Sequence, residues 1–234
     1  MAGRLVVVAT PIGNLGDLSA RAREELCGAD AWVVEDTRTG GRLQSALGVK
    51  LPMRVLNDHS PQGRIEEIVG QIAQGSTLCL TTDAGTPVVS DPGAVLVDLC
   101  HERGLSVDSV PGASAVTTAL SLSGFYAQRY AFLGFLPRKT GARKAVLGSF
   151  ADSTLAVVIF ESPHRVAACL EDCFRALGSR RYAICRELTK VHQQIWRSRL
   201  PKIPDPTEVP RKGEVTLVLE GLRKGPAPED IEQV

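Results

Sequence analysis

With 234 residues, 44% of them hydrophobic and 23% charged, the chain can bury a real core and is long enough for one large domain or two small ones. No apolar run approaches the ~18 residues of a membrane-spanning helix, and a net charge of +1 singles out no class of partner. The six cysteines (27, 79, 100, 169, 173 and 185) form no C-x-x-C pair and the four histidines are dispersed, which predicts reduced thiols in a cytoplasmic protein and no metal site.

The chain opens on an apolar stretch that runs straight into a Pro/Gly turn, a first strand over 5–9 rather than a secretory leader. A helix over 19–27 and a strand over 31–35 follow, then a short helix near 41–47 and a strand over 53–57. Ile65, Ile68, Val69 and Ile72 recur at helical spacing, with Ser60 upstream as an expected cap. Residues 78–82 read as a strand, Leu96, Leu99 and Cys100 as a helix closed by Gly104, 107–110 as a strand and 113–122 as a helix. This alternation predicts a mostly parallel sheet covered on both faces.

From Gly124 to Gly141 aromatics, Gly and Pro break the rhythm, and a domain boundary is expected there, separating 1–122 from 123–234. Beyond it a strand over 155–160, a helix over 164–177 and strands over 182–186, 193–199 and 214–220 are expected. Adjacent strands without a helix between them predict a mixed second sheet. The stretch 200–213 holds four prolines and reads as a loop. Charge is uneven: residues 1–120 carry 9 Lys/Arg against 14 Asp/Glu, residues 121–234 carry 18 against 12. The basic residues of the second half cluster, as at Arg138-Lys139, which suits a polyanion or a merely solvated surface.

Three Gly/Pro turns follow strands: 9–17, 83–93 and 110–115. In an open α/β sheet the carboxyl edge of the strands is where ligands bind. The segment DAGTPVVSDPG, with Asp83 and Asp91, Thr86 and Ser90, can hold a polar, cationic small molecule, or can be a tight turn in which Ser90 or Asp91 caps the next helix. Gly13 and Gly16 do not fit G-x-G-x-x-G, so a classical dinucleotide or phosphate loop is not supported. Glu35-Asp-Thr-Arg38 ends a strand, Glu161-Ser-Pro-His-Arg165 joins a strand to a helix that Ser162 or His164 could cap, and Arg186-Glu-Leu-Thr-Lys190 follows another strand.

Taken in order, LVVVATPIGNLGDLSARA, EDTR, DAGTPVVSDPG, VPGASAVTTALSLSG, GFLPRK, ESPHR and RELTK resemble the bacterial 16S ribosomal RNA cytidine 2'-O-methyltransferases of the tetrapyrrole methylase superfamily, over residues 4–221. The resemblance implies two α/β domains with S-adenosylmethionine in a cleft between them, usually in a homodimer, and methylation of 16S ribosomal RNA within the small subunit. It implies cofactor contacts at Pro11, Asp83, Gly85, Thr86, Val89, Ser90, Asp91, Ser114, Ala115 and Phe160. Acids and bases facing the RNA would include Glu35. Asp36, Glu161, His164 and Glu187 are the candidates for general base, and Arg38, Arg138, Lys139, Arg165, Arg186 and Lys190 for RNA contacts. The same fold also methylates tetrapyrrole and diphthamide precursors, and a non-catalytic module docking on the ribosome is a further alternative.

Overall fold

The computed structural model describes residues 3–223, which fold as two compact units, residues 3–114 and 115–223. In the first, strands β1 (Arg4–Val8), β2 (Ala31–Val34), β3 (Met53–Val55), β4 (Thr77–Leu80) and β5 (Ser106–Val110) form one sheet in the order β3-β2-β4-β1-β5, with every neighbouring pair parallel. Helices α1 (Ala20–Gly28) and α2 (Thr37–Leu47) cover one face, α3 (Gln62–Ala73) and α4 (Ala94–Glu102) the other. The pleat explains the division. Leu5, Val33, Leu78 and Leu80 point toward Ile65, Ile68 and Ile72 of α3 and Leu96 of α4. Val6, Val8, Trp32, Val34 and Cys79 point toward Ala22 and Leu26 of α1.

The second unit begins with α5 (Ala115–Ser123), which packs on β8, β9 and β10 of its own sheet. The sequence pattern put this helix at the end of the first domain. The division instead falls between Ser114 and Ala115, because the contacts of α5 lie with the strands that follow it. Strands β6 (Tyr130–Phe135), β7 (Ala156–Glu161), β8 (Arg181–Arg186), β9 (Gln194–Arg199) and β10 (Val215–Leu219) take the order β6-β7-β10-β8-β9. Here β6 and β7 are parallel and the remaining pairs antiparallel, the expected mixed sheet. Helices α6 (Thr140–Gly148) and α7 (Val166–Leu177) bury Leu147, Cys169, Leu170 and Cys173 against Val157, Ile159, Ile184 and Leu217. No helix or strand interrupts 200–214, as its prolines require.

Two elements lay outside the sequence reading, and each has a physical reason. The inward position of α6 is an arginine. Arg143 donates to Asp172 of α7 through Nε at 2.8 Å, with the two side chains only 4% and 2% exposed, so no apolar stripe marks the helix. Strand β6 carries a bulge that breaks its alternation. The expected caps also moved. Ser60 closes a turn by accepting from the Asn57 amide, while Pro61 precedes α3 without a side-chain cap. Gly93 and Arg165 precede α4 and α7, also without side-chain caps, so Ser90, Asp91, Ser162 and His164 do not serve as N-caps. Asp36, not read as a cap, accepts from the Arg38 amide at 2.8 Å and starts α2 at Thr37 rather than near Gly41. All six cysteines are free; five are buried and Cys27 is half-buried.

Candidate functional site

In the first unit the loops after β1, β2, β4 and β5 leave the same, carboxyl edge of the parallel sheet. Backbone hydrogen bonds tie three of them together. The Thr10 amide donates to the Gly85 carbonyl at 2.8 Å and the Gly85 amide to the Thr10 carbonyl at 3.1 Å, a two-way clasp between the β1 and β4 loops. Thr10 Oγ1 also donates to the Thr82 carbonyl at 3.2 Å, and Thr86 Oγ1 to the Ala113 carbonyl of the β5 loop at 3.2 Å. Gly85 sits at φ +91° with a Cβ position 3.3 Å from Ile12 Cγ2 and 3.8 Å from the Ala113 carbonyl oxygen, so the clasp asks for glycine twice, by dihedral and by space. Val88 and Ser90 also lie in the left-handed region, at φ 74° and 68°. Two non-glycine residues in this conformation, two apart at the ligand edge, make the loop a candidate site.

The electrostatics of this edge are acidic. Burial raises the Glu35 carboxyl above its ordinary value, and the charges of Asp83 and Asp91 push it further, against a 3.5 Å bond from Thr82 Oγ1. Asp83 and Asp91 are likewise raised, chiefly by burial. Three carboxylates made costly to ionise, chiefly by burial and in part by neighbouring acids, form a site that a cation would relieve. Glu35, which the resemblance put on the RNA side, thus shares the edge with the Asp83–Asp91 loop. Neither Thr10 nor Thr82, both buried, was singled out from sequence; isolated threonines at strand ends carry no pattern.

Asp36 differs from its neighbour. Its carboxylate caps α2 and receives Arg38 Nε at 2.9 Å, which lowers its pKa to about 2. The Arg38 side chain is 85% exposed yet committed to that pair.

The second unit holds the remaining candidates, with Ala115 at the start of α5 and Phe160 on β7. Glu161 is buried. Its Oε1 accepts from the Ser162 amide at 2.7 Å and pairs with Arg165 Nε at 3.3 Å, while its Oε2 has no hydrogen-bond partner among the described residues. Arg165 in turn donates to the Leu136 carbonyl at 3.1 Å and the Pro137 carbonyl at 3.4 Å, lashing ESPHR to GFLPRK. Arg186 spends its guanidinium on Gln194 Oε1 and on the carbonyls of Lys212 and His192, at 3.1–3.2 Å. Glu187 and Thr189 occupy left-handed backbone at φ 52° and 64°. Glu187 Oε1 accepts from the Glu214 amide at 2.9 Å and from Lys190 Nζ at 3.0 Å, and its pKa is lowered, first by that amide. Lys190 also donates to Glu214 Oε2 at 2.8 Å. Burial opposes its charge, but the two carboxylates outweigh it and hold the ammonium above its ordinary pKa. Glu214, a partner of both, was missed because it lies 24 residues away on another strand's approach. His164, Arg138 and Lys139 are exposed, and their side chains make no hydrogen bond or ion pair among the described residues. No cluster of three or more potential metal ligands occurs among those residues.

A doubly wound parallel sheet with clasped Gly/Pro loops at its carboxyl edge, followed by a mixed-sheet unit, defines a two-domain α/β ligand-binding protein outside the classical dinucleotide class. Residues 4–204 match the family model of Tetrapyrrole (Corrin/Porphyrin) Methylases. The chain is similar to ribosomal RNA small subunit methyltransferase I of Mycobacterium tuberculosis (44% identity, covering 94% of this chain and 78% of the relative). It is similar to the protein of that name from Thermotoga maritima at 39% identity, covering 94% and 99%. Among solved structures it resembles the methyltransferase CobJ, with a TM-score of 0.69 at 16% identity over 95% of this chain and 97% of that one. It also resembles uroporphyrin-III C-methyl transferase from Thermus thermophilus complexed with S-adenyl homocysteine, with a TM-score of 0.65 at 17% identity over 93% and 97%. The chain belongs to the tetrapyrrole methylase family and, within it, to the ribosomal RNA small subunit methyltransferase I group.

Proposed function

We propose that the chain transfers a methyl group from S-adenosylmethionine to the ribose 2'-hydroxyl of a decoding-region cytidine in 16S ribosomal RNA, working on the small subunit in the cytoplasm as a homodimer. The observation that carries the reading is the contrast between the two units' exposed chemistry. The first presents desolvated carboxylates on clasped loops, suited to a small cation. The second presents free cations on its surface, suited to a polyanion.

The residues fit the cofactor. A sulfonium and an ammonium would relieve the repulsion that Asp83 and Asp91 exert on Glu35, and Gly85, with no Cβ to press on Ile12, lets the β1 and β4 loops close on one another beside these acids. Pro11, Thr86, Val89, Ser90 and Ser114 are the further cofactor contacts proposed in the first unit, and Ala115 and Phe160 those proposed in the second. When bound, the cofactor supplies an electrophilic methyl group, and alignment with an oxygen at roughly 3 Å is the larger part of the catalysis.

For proton removal we favour one of the four candidates. Asp36 is too acidic, Glu187 is held in its charged form by the Glu214 amide and Lys190, and Glu161 is buried under Arg165. His164 is exposed and unengaged among the described residues, so it is the proposed acceptor of the hydroxyl proton. Lys190, kept protonated by two carboxylates, would stabilise the developing alkoxide. Arg38, Arg165 and Arg186 act by holding loops, whereas Arg138 and Lys139 are left to meet phosphates.

Offering labelled S-adenosylmethionine together with unmodified small subunits, a uroporphyrinogen and the diphthamide precursor tests the reading. Label only in RNA supports it. Label in either competitor reverses it, and cofactor binding without transfer would make the chain a docking module.

A further inference from the structure

Strand β6 pairs Ala131 with Val157 and Phe132 with Val158, then slips, so that Phe135 and not Gly134 opposes Phe160. One extra residue has been inserted, with Gly134 in left-handed backbone at φ 59°. Strict alternation would have put Phe135 on the same face as Leu133, which packs against the core of α6 and α7. The bulge reverses this. Leu133 and Leu136 take the core face. Phe135 joins Phe132 on the other, with ring centroids 5.7 and 4.8 Å from Phe160. Bulges re-aim side chains beside functional sites, and the one re-aimed here is left 63% exposed.

The exposed ring is held firmly. Arg165, itself fixed by Glu161, grips the carbonyls of the next two residues, Leu136 and Pro137, so the chain leaving Phe135 is pinned. Immediately beyond stand Arg138 and Lys139, exposed and unpaired among the described residues. A rigid aromatic face with cations a few residues along is the combination that binds single-stranded nucleic acid: the ring stacks a base and the cations take adjacent phosphates. A second copy of the chain is the poorer occupant, because the core of a protein–protein interface is depleted in lysine, whereas phosphates suit both cations.

Building on the RNA reading above, we infer that Phe135 is a stacking platform for an unpaired base of the RNA substrate, positioned by the Gly134 bulge and the Glu161–Arg165 strap. The test compares wild type, Phe135→Leu, which keeps apolar bulk without a π face, and Phe135→Tyr. The probes are unmodified small subunits and a single-stranded oligouridine carrying one 2-aminopurine, whose fluorescence falls on stacking. Phe135→Leu should bind both about tenfold more weakly, the scale of one base–aromatic contact, and lose the quenching. Phe135→Tyr should retain both, and all three proteins should share one melting temperature, cofactor affinity and sedimentation coefficient. Wild-type affinity and quenching in Phe135→Leu would overturn the platform while leaving the RNA reading intact. So would a change confined to sedimentation or to cofactor affinity. A wild type that neither binds nor methylates subunits would sink the RNA reading, and the platform with it.

Discussion

Replacing Gly85 probes the clasp on which the proposed cofactor site depends. At φ +91° an L-residue is strained by about 1–3 kcal/mol, and its Cβ would press Ile12 Cγ2 at 3.3 Å, closer than most real contacts. The loop can accept that strain or let go. Letting go forfeits the two backbone bonds to Thr10, of 2.8 and 3.1 Å, at about 1 kcal/mol net each. Both routes arrive near 2 kcal/mol for Gly85→Ala, and the added bulk of Gly85→Val makes release the cheaper one. If binding requires the closed clasp, equal costs leave it about half closed in the alanine variant, so cofactor affinity falls only about twofold there and further in the valine variant, whose fold is still retained. Urea unfolding monitors the first quantity and titration calorimetry the second. Wild-type affinity in both variants would refute the assignment of this loop to the cofactor.

The acidic edge makes a pH prediction. Carboxyls whose folded pKa is raised bind more protons folded than unfolded, so their contribution to stability is greatest below the ordinary values of 3.8 and 4.5 and is lost as pH rises through the raised ones. Glu35→Gln should therefore stabilise the unliganded protein at neutral pH and weaken cofactor binding, and wild-type affinity should drop as pH falls into that window; melting scans and calorimetry check both. His164→Ala and Lys190→Met should each lower single-turnover transfer by ~10² or more with cofactor affinity intact, and a normal rate in both would leave alignment alone to do the chemistry. Arg143→Met leaves the buried Asp172 carboxylate only its 3.4 Å contact with Arg175 and should cost about 3 kcal/mol by urea unfolding, much of it recovered when Asp172→Leu is added. Arg138→Glu with Lys139→Glu should weaken subunit binding and flatten its logarithmic salt dependence by about 2, with cofactor affinity unchanged.

Much of the first unit was legible because its strands are short apolar runs between Gly/Pro turns, and its helices show clean apolar periodicity, as at Ile65, Ile68, Val69 and Ile72. The ligand edge was legible for the same reason: in a parallel sheet all the strand-end turns must meet on one side. What stayed hidden depended on tertiary partners. Helix α6 turns inward on Arg143, whose meaning appears only with Asp172 beside it. Asp36 and Glu35 are neighbours in sequence, yet Arg38 holds one in its charged form while burial and two acids disfavour charge on the other. Arg165 and Arg186 looked like RNA contacts, and their guanidinium groups prove to be engaged by the protein's own carbonyls. The slip in β6 that exposes Phe135 is invisible until the strand is paired with β7.

The central claim is that one ribose oxygen of small-subunit RNA accepts the methyl group. Unmodified small subunits would be incubated with S-adenosylmethionine tritiated at the methyl, and the RNA digested to nucleosides and separated. One equivalent of label per subunit is expected, all of it in 2'-O-methylcytidine from the decoding region. Label in a base-methylated nucleoside, or none in RNA while the cofactor binds normally, would contradict that claim.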